Sequence, residues 1–195
     1  MRKFNAAARL AYYYFDFSNH EAQNLNTLLR CLLWQLCKHG LTVPSAAWTL
    51  YEAHDSGRKH ASDDTLADAL FEILRSELES PSYVIVDALD EYPADSRDDF
   101  FNLILDRIER HGGQNRTYNF LFTSRNEPDI EARMGESIAA IHNVPIPAEC
   151  VNADVRLHVT RFIADNRAMK SFPGHLKTEI EDTLSVKAQG MYVLP

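Results

Sequence analysis

Glycine is scarce in this chain. Its 195 residues include seven glycines, at positions 40, 57, 112, 113, 135, 174 and 190, and none opens a GxxxxGK[ST] pattern. The sequence therefore lacks the loop whose backbone N–H groups cradle phosphates and whose lysine reaches the β and γ oxygens. Cysteine is sparse too. Cys31, Cys37 and Cys150 are an odd set without CxxC spacing, which excludes a disulfide framework and a cysteine-rich zinc site. Reduced thiols fit a cytoplasmic location. The eight histidines form no HExxH pair, and no GxSxG elbow is present, so zinc-protease and serine-hydrolase chemistries drop out. Positive charge is short as well. There are 20 Lys and Arg against 28 Asp and Glu, a net charge of −8, and no run of five or more basic residues. That balance argues against nucleic acid or anionic membranes as partners. No apolar stretch approaches the roughly 18 residues needed to span a bilayer. Residues 1–10 also lack the continuous apolar core of a signal peptide.

What is present is the material of a globular domain, 45% hydrophobic and 25% charged. Residues 10–17, rich in aromatics, read as a strand. Leu25, Leu28, Leu29, Leu32, Leu33 and Leu36 recur at helical spacing, and a short helix carrying Trp48 and Leu50 follows Pro44. Ser62 is placed to cap a helix with the apolar stripe Leu66, Ala69, Leu70, Ile73, Leu74 and Leu78. Residues 82–86 then form a short apolar run of the kind buried on both faces of a parallel sheet. Phe100, Phe101, Ile104, Leu105 and Ile108 form another helical stripe. Residues 118–123 read as a further buried strand and 138–144 as a weaker one. This alternation predicts an α/β, doubly wound parallel sheet. Two more helices follow, one capped by Asp154 and one over residues 175–188. In the run Tyr12 to Tyr14, strand context and acidic charge favour core packing over base stacking.

Chemistry concentrates at two strand ends. The apolar strand 82–86 ends in Asp87, with Asp90 and Glu91 just beyond. Ligands of open α/β sheets bind at the carboxyl ends of the strands. A carboxylate there can hold Mg²⁺, and a second one can act on an attacking water. The bland alternative is three acids that cap the next helix. The strand 118–123 likewise ends in Thr123, Ser124 and Arg125. The hydroxyls can bond water or phosphate, and a guanidinium recognises phosphate oxygens by paired donors.

Taken in this order, the segments resemble the NACHT domains of the STAND signalling NTPases, which are regulated P-loop switches. The likeness is nearest to the fungal, nephrocystin-3-like branch, often joined to ankyrin repeats, and spans residues 10–192. Val86-Asp-Ala-Leu-Asp-Glu91 resembles the Walker B segment. Thr123-Ser-Arg125, with Glu127-Pro-Asp-Ile130 after it, resembles sensor 1. Lys187-Ala-Gln-Gly-Met-Tyr192 is similar to the closing helix motif.

The resemblance implies a P-loop NTPase-like parallel sheet flanked by helices. Residues 1–150 would form a partial nucleotide-binding domain and 151–195 the start of a helical lid. Asp87 would hold Mg²⁺, Asp90 or Glu91 would act on the hydrolytic water, and Arg125, with Thr123 and Ser124, would meet the γ-phosphate. The complete domain would use Mg²⁺ with ATP or GTP. This chain, lacking the Walker A loop and the strand before it, would bind none and be inactive by itself. Its partners would be proteins, or further copies of itself. Without the P-loop strand, the strand at 118–123 should expose an edge or pair directly with residues 139–144. A nucleotide-independent interaction scaffold derived from such a domain is the alternative.

Overall fold

The computed structural model describes residues 8–38, 42–76, 81–110, 118–136, 142–146 and 148–187. The chain divides into two units, residues 1–141 and 142–195.

In the first unit, strands β1 (Arg9–Tyr14), β2 (Ser82–Asp87) and β3 (Tyr118–Phe122) form a parallel sheet in the order β1-β2-β3. The crossover from β1 to β2 carries α1 (Leu25–Lys38), α2 (Ser45–Ala53) and α3 (Asp63–Ser76). The leucine stripe of α1 is buried along its whole length. Ser62 does begin α3, its Oγ accepting the N–H of Thr65 at 3.3 Å, and Asp63 and Asp64 lie in the first turn, where the helix dipole favours them. Leu78 falls outside the described residues. From β2 to β3 the chain runs through α4 (Arg97–Phe100), a π-helical stretch Phe101–Leu105, and α5 (Asp106–Arg110). Helix α6 (Pro128–Glu136) follows β3.

The core lies on one face of the sheet. Ala11 and Tyr13 of β1, Val84 and Val86 of β2, and Tyr118 of β3 pack there with α1, α3 and the 97–110 segment. The other face differs from what the apolar run of β2 suggests. Leu10, Tyr12, Tyr14 and Leu121 are 42 to 59% exposed, and Tyr83 and Ile85 are only half-buried. Among the described residues the sheet is thus wound on one side. Tyr13 alone of the three consecutive tyrosines enters the core. A strand sequence records that both faces are apolar, but not whether both are covered.

The sheet's edges also differ. The outer edge of β1 is closed by Gln35 of α1, whose Oε1 accepts the N–H of Tyr12 (3.1 Å) while its Nε2 donates to the Tyr12 carbonyl (2.7 Å). A side-chain amide thus satisfies the backbone as a neighbouring strand would, which blunts an edge. On its second side β3 has no strand partner among the described residues. The weak strand expected at 138–144 falls outside them up to residue 141, and residues 142–146 are not strand.

The second unit contains α7 (Ala148–Asp165) and α8 (Gly174–Lys187), packed through Val155, Val159 and Ile163 against Ile180 and Leu184. Asp154 lies inside α7, not at its start. The motif beginning at Lys187 lies outside the described residues from position 188 onward. No described helix is long and apolar enough to cross a membrane.

Candidate functional site at the carboxyl rim of the sheet

Parallel strands bring their carboxyl ends to one rim. β2 ends there on Asp87, half-buried. The next residue, Ala88, has φ 56° and ψ 49°, in the left-handed region. For a residue with a Cβ this costs about 1–2 kcal/mol, and it persists only where neighbours over-determine it. Thr123, just beyond β3, supplies that constraint. Its N–H donates to the Val86 carbonyl (3.0 Å), and its own carbonyl accepts from Leu89 N (2.9 Å). Its hydroxyl oxygen accepts from Ala88 N (3.0 Å), and the hydroxyl donates to the Asp87 carboxylate.

This turn brings Asp90 to the exit of β3. Its Oδ1 accepts the N–H of Arg125 at 3.0 Å, and its Oδ2 lies 3.3 Å from Arg125 Nε. The Asp90 side chain is 7% exposed and that of Arg125 is 53% exposed. Asp87, Thr123, Asp90 and Arg125 therefore share one site, with an anchored carboxylate facing an accessible guanidinium.

Glu91 and Ser124 turn elsewhere. Glu91 Oε2 accepts the N–H of Phe17 (3.0 Å), and its carbonyl accepts from Gln23 Nε2 (3.2 Å). It fastens the segment leaving β1. Ser124 Oγ donates to the Arg125 carbonyl at 2.7 Å.

Behind the turn lies Arg97, buried, which binds the carbonyls of Asp90 and Tyr92 and the carboxylate of Asp129. The sequence carries a signal for it. Arg97 stands one helical turn before Phe101 and two before Ile104, on the apolar stripe, where a charge is buried only if its donors are met. The Arg97 hydrogen bond holds the Asp129 carboxyl below its ordinary range. A depressed folded-state value contributes stability that is fully present above the unfolded carboxylate pKa of about 4 and is lost as pH falls through the folded value. Asp129→Asn is accordingly expected to be less stable than the parent near neutrality, with the gap closing on acidification below about pH 4. Urea midpoints measured across pH 3 to 7 check this, and a gap that stays constant with pH would remove the ion pair as its cause.

Among the described residues no three His, Cys, Asp or Glu side chains are grouped to hold a metal. With Asp90 committed to Arg125, what the rim offers is the carboxylate of Asp87 beside the hydroxyl of Thr123. That donor set fits Mg²⁺, which keeps several waters and takes other ligands from phosphate, rather than an all-protein cage.

A family model described as Nephrocystin 3, N-terminal, matches residues 2–125, a span that includes both the acidic turn and Arg125. No curated protein and no solved structure matches the chain.

Proposed function

The chain belongs to the nephrocystin 3 N-terminal family, and from that premise we propose that it supplies the acidic half of a NACHT-type nucleotide switch whose phosphate-binding half lies outside it. The observation that supports this reading is, among the described residues, the exposed sheet face together with the lack of a strand partner on the second side of β3. All-parallel sheets are covered on both faces. Strand order runs from β1 to β3 in one direction, and right-handed crossovers then place every connecting helix on the same face. A strand added beside β3 and leading through a helix back to β1 travels the opposite way. The same rule puts that helix on the exposed face, over Leu10, Tyr12, Tyr14 and Leu121. One strand–loop–helix unit would close both gaps, and its loop would emerge at the rim beside Asp87 and Arg125, where phosphate is handled in doubly wound folds.

In such a domain Asp87 would hold Mg²⁺ through water. Asp90 would take the proton of the attacking water, and Arg125 would leave Asp90 for the γ-phosphate. The bound metal and nucleotide supply the leaving group and charge neutralisation. The chain's own residues orient, hold the proton and sense the anion. Association with protein partners or with other copies would follow nucleotide state.

The test is to join the chain to a strand–helix unit carrying GxxxxGK[ST] ahead of β1, taken from the upstream reading frame where it encodes one. Saturable Mg-ATP or Mg-GTP binding, with Tyr12 and Tyr14 shielded from solvent, is the expected result. A joined chain that folds and shields these tyrosines yet binds no nucleotide would favour the interaction scaffold.

A further inference from the structure

Arg97 is 6% exposed, and a buried guanidinium is costly unless its donors are satisfied. Two segments satisfy them. Nη2 donates to the Asp90 carbonyl at 2.6 Å and Nε to the Tyr92 carbonyl at 3.0 Å. Nη1 donates to both carboxylate oxygens of Asp129, at 3.0 and 2.8 Å. Asp90 and Tyr92 belong to the acidic turn. Asp129 is in the first turn of α6, just after Thr123, Ser124 and Arg125. Asp90 is therefore held twice, by its main chain through Arg97 and by its side chain through Arg125. The two holds differ in kind. Arg97 is enclosed and committed on three sides, whereas Arg125 is half-exposed. A guanidinium can exchange a carboxylate for a phosphate with the same paired geometry.

We propose that Arg97 is a positioning residue, fixing the main chain of Asp90 against α6 so that its carboxylate keeps its place when Arg125 turns to an anion. The clamp stands on the geometry alone, and only the last clause rests on the nucleotide-switch reading. Lysine cannot replace Arg97, because one ammonium does not span two carbonyls and a carboxylate in a fixed fork.

Amide hydrogen exchange on the chain as it stands tests the clamp. The N–H groups of Leu89, Glu91 and Tyr92 are all hydrogen-bonded, so their protection reports the turn. Arg97→Lys is expected to speed exchange across residues 89–92 and 127–130 by about tenfold or more, with α1 and α3 unchanged. Arg125→Ala should leave residues 89–92 within about twofold of the parent. If Arg97→Lys does not fold, Asp129→Asn, which removes one side of the clamp, carries the test and should loosen both segments. Unchanged exchange at 89–92, equal loosening by Arg125→Ala, or a uniform rise through α1 and α3 would each overturn the assignment. In the joined domain, Arg97→Lys should lower kcat while KM for nucleotide moves by less than about twofold, and equal changes in both would contradict positioning. A loosened turn in a joined domain that binds no nucleotide would keep the clamp and discard the switch.

Discussion

Asp90→Asn, in a domain completed by a phosphate-binding unit, is expected to retain Mg-nucleotide and to slow its hydrolysis by about 10²- to 10⁴-fold, the usual reach of a positioned general base. The amide keeps an oxygen to accept the Arg125 N–H, so the turn is preserved, but it cannot take a proton from water. Asp87→Ala should behave differently. It removes the carboxylate at the end of β2 that meets the Thr123 hydroxyl, and the loss should appear in nucleotide retention before turnover. Single-turnover hydrolysis and bound-nucleotide content, measured in parallel, separate the two. Parent-like turnover in Asp90→Asn would withdraw the role given to it.

Phe100→Ala is expected to cost about 3–5 kcal/mol, a large part of the roughly 5–15 kcal/mol that holds a domain folded. Phe100 is fully buried. Its ring meets those of Phe15, Tyr92, Phe101 and Phe122 at centroid distances of 6.4, 6.1, 5.7 and 6.0 Å. Phe15 follows β1, Tyr92 closes the acidic turn, and Phe122 ends β3. One side chain thus braces the underside of the rim from which every site residue projects. Truncation leaves a cavity among rings that cannot collapse into it without moving the strand ends. Denaturant unfolding of Phe100→Ala and Phe100→Leu measures this, with the leucine variant recovering part of the loss. A cost below about 1 kcal/mol for alanine would mean that the rim is held by other contacts.

Much of this arrangement is legible in the chain because short-range periodicity fixes it. The leucines of α1 and the stripe of α3 mark buried helix faces, and the apolar run before Asp87 marks a strand whose end presents acids. What periodicity leaves open is whether a second face is covered, so β2 reads as doubly buried although Tyr83 and Ile85 are only half-buried. Tyr12 and Tyr14 read as core for the same reason. α7 begins at Ala148, ahead of Asp154, because a side chain able to cap can equally sit within a helix. At the site, Asp87, Asp90, Thr123 and Arg125 are visible as polar residues at strand ends. Glu91 and Ser124 look equivalent to them in sequence, and only the fold turns one to the N–H of Phe17 and the other to the carbonyl of Arg125. Arg97 belongs to no polar cluster, and its one sequence signal is its place as a lone charge on an apolar stripe. The left-handed turn at Ala88 carries no sequence mark, since glycine, the usual residue there, is absent.

The decisive measurement is calorimetric titration of Mg-ATP and Mg-GTP into the folded chain as it stands. A phosphate loop contributes several charge-assisted hydrogen bonds of roughly 1.5–3 kcal/mol each. Without three of them a site loses on the order of 5 kcal/mol, and about 1.4 kcal/mol is tenfold in affinity. A micromolar site thus weakens beyond millimolar. Asp87 and Asp90 repel a triphosphate, and Arg125 is a single charge already paired with Asp90. The expected result is no saturable binding by the isolated chain. Saturable binding tighter than about 100 µM, on the same affinity scale, would show that this chain builds its own phosphate cradle and would contradict its assignment as the acidic half of the site.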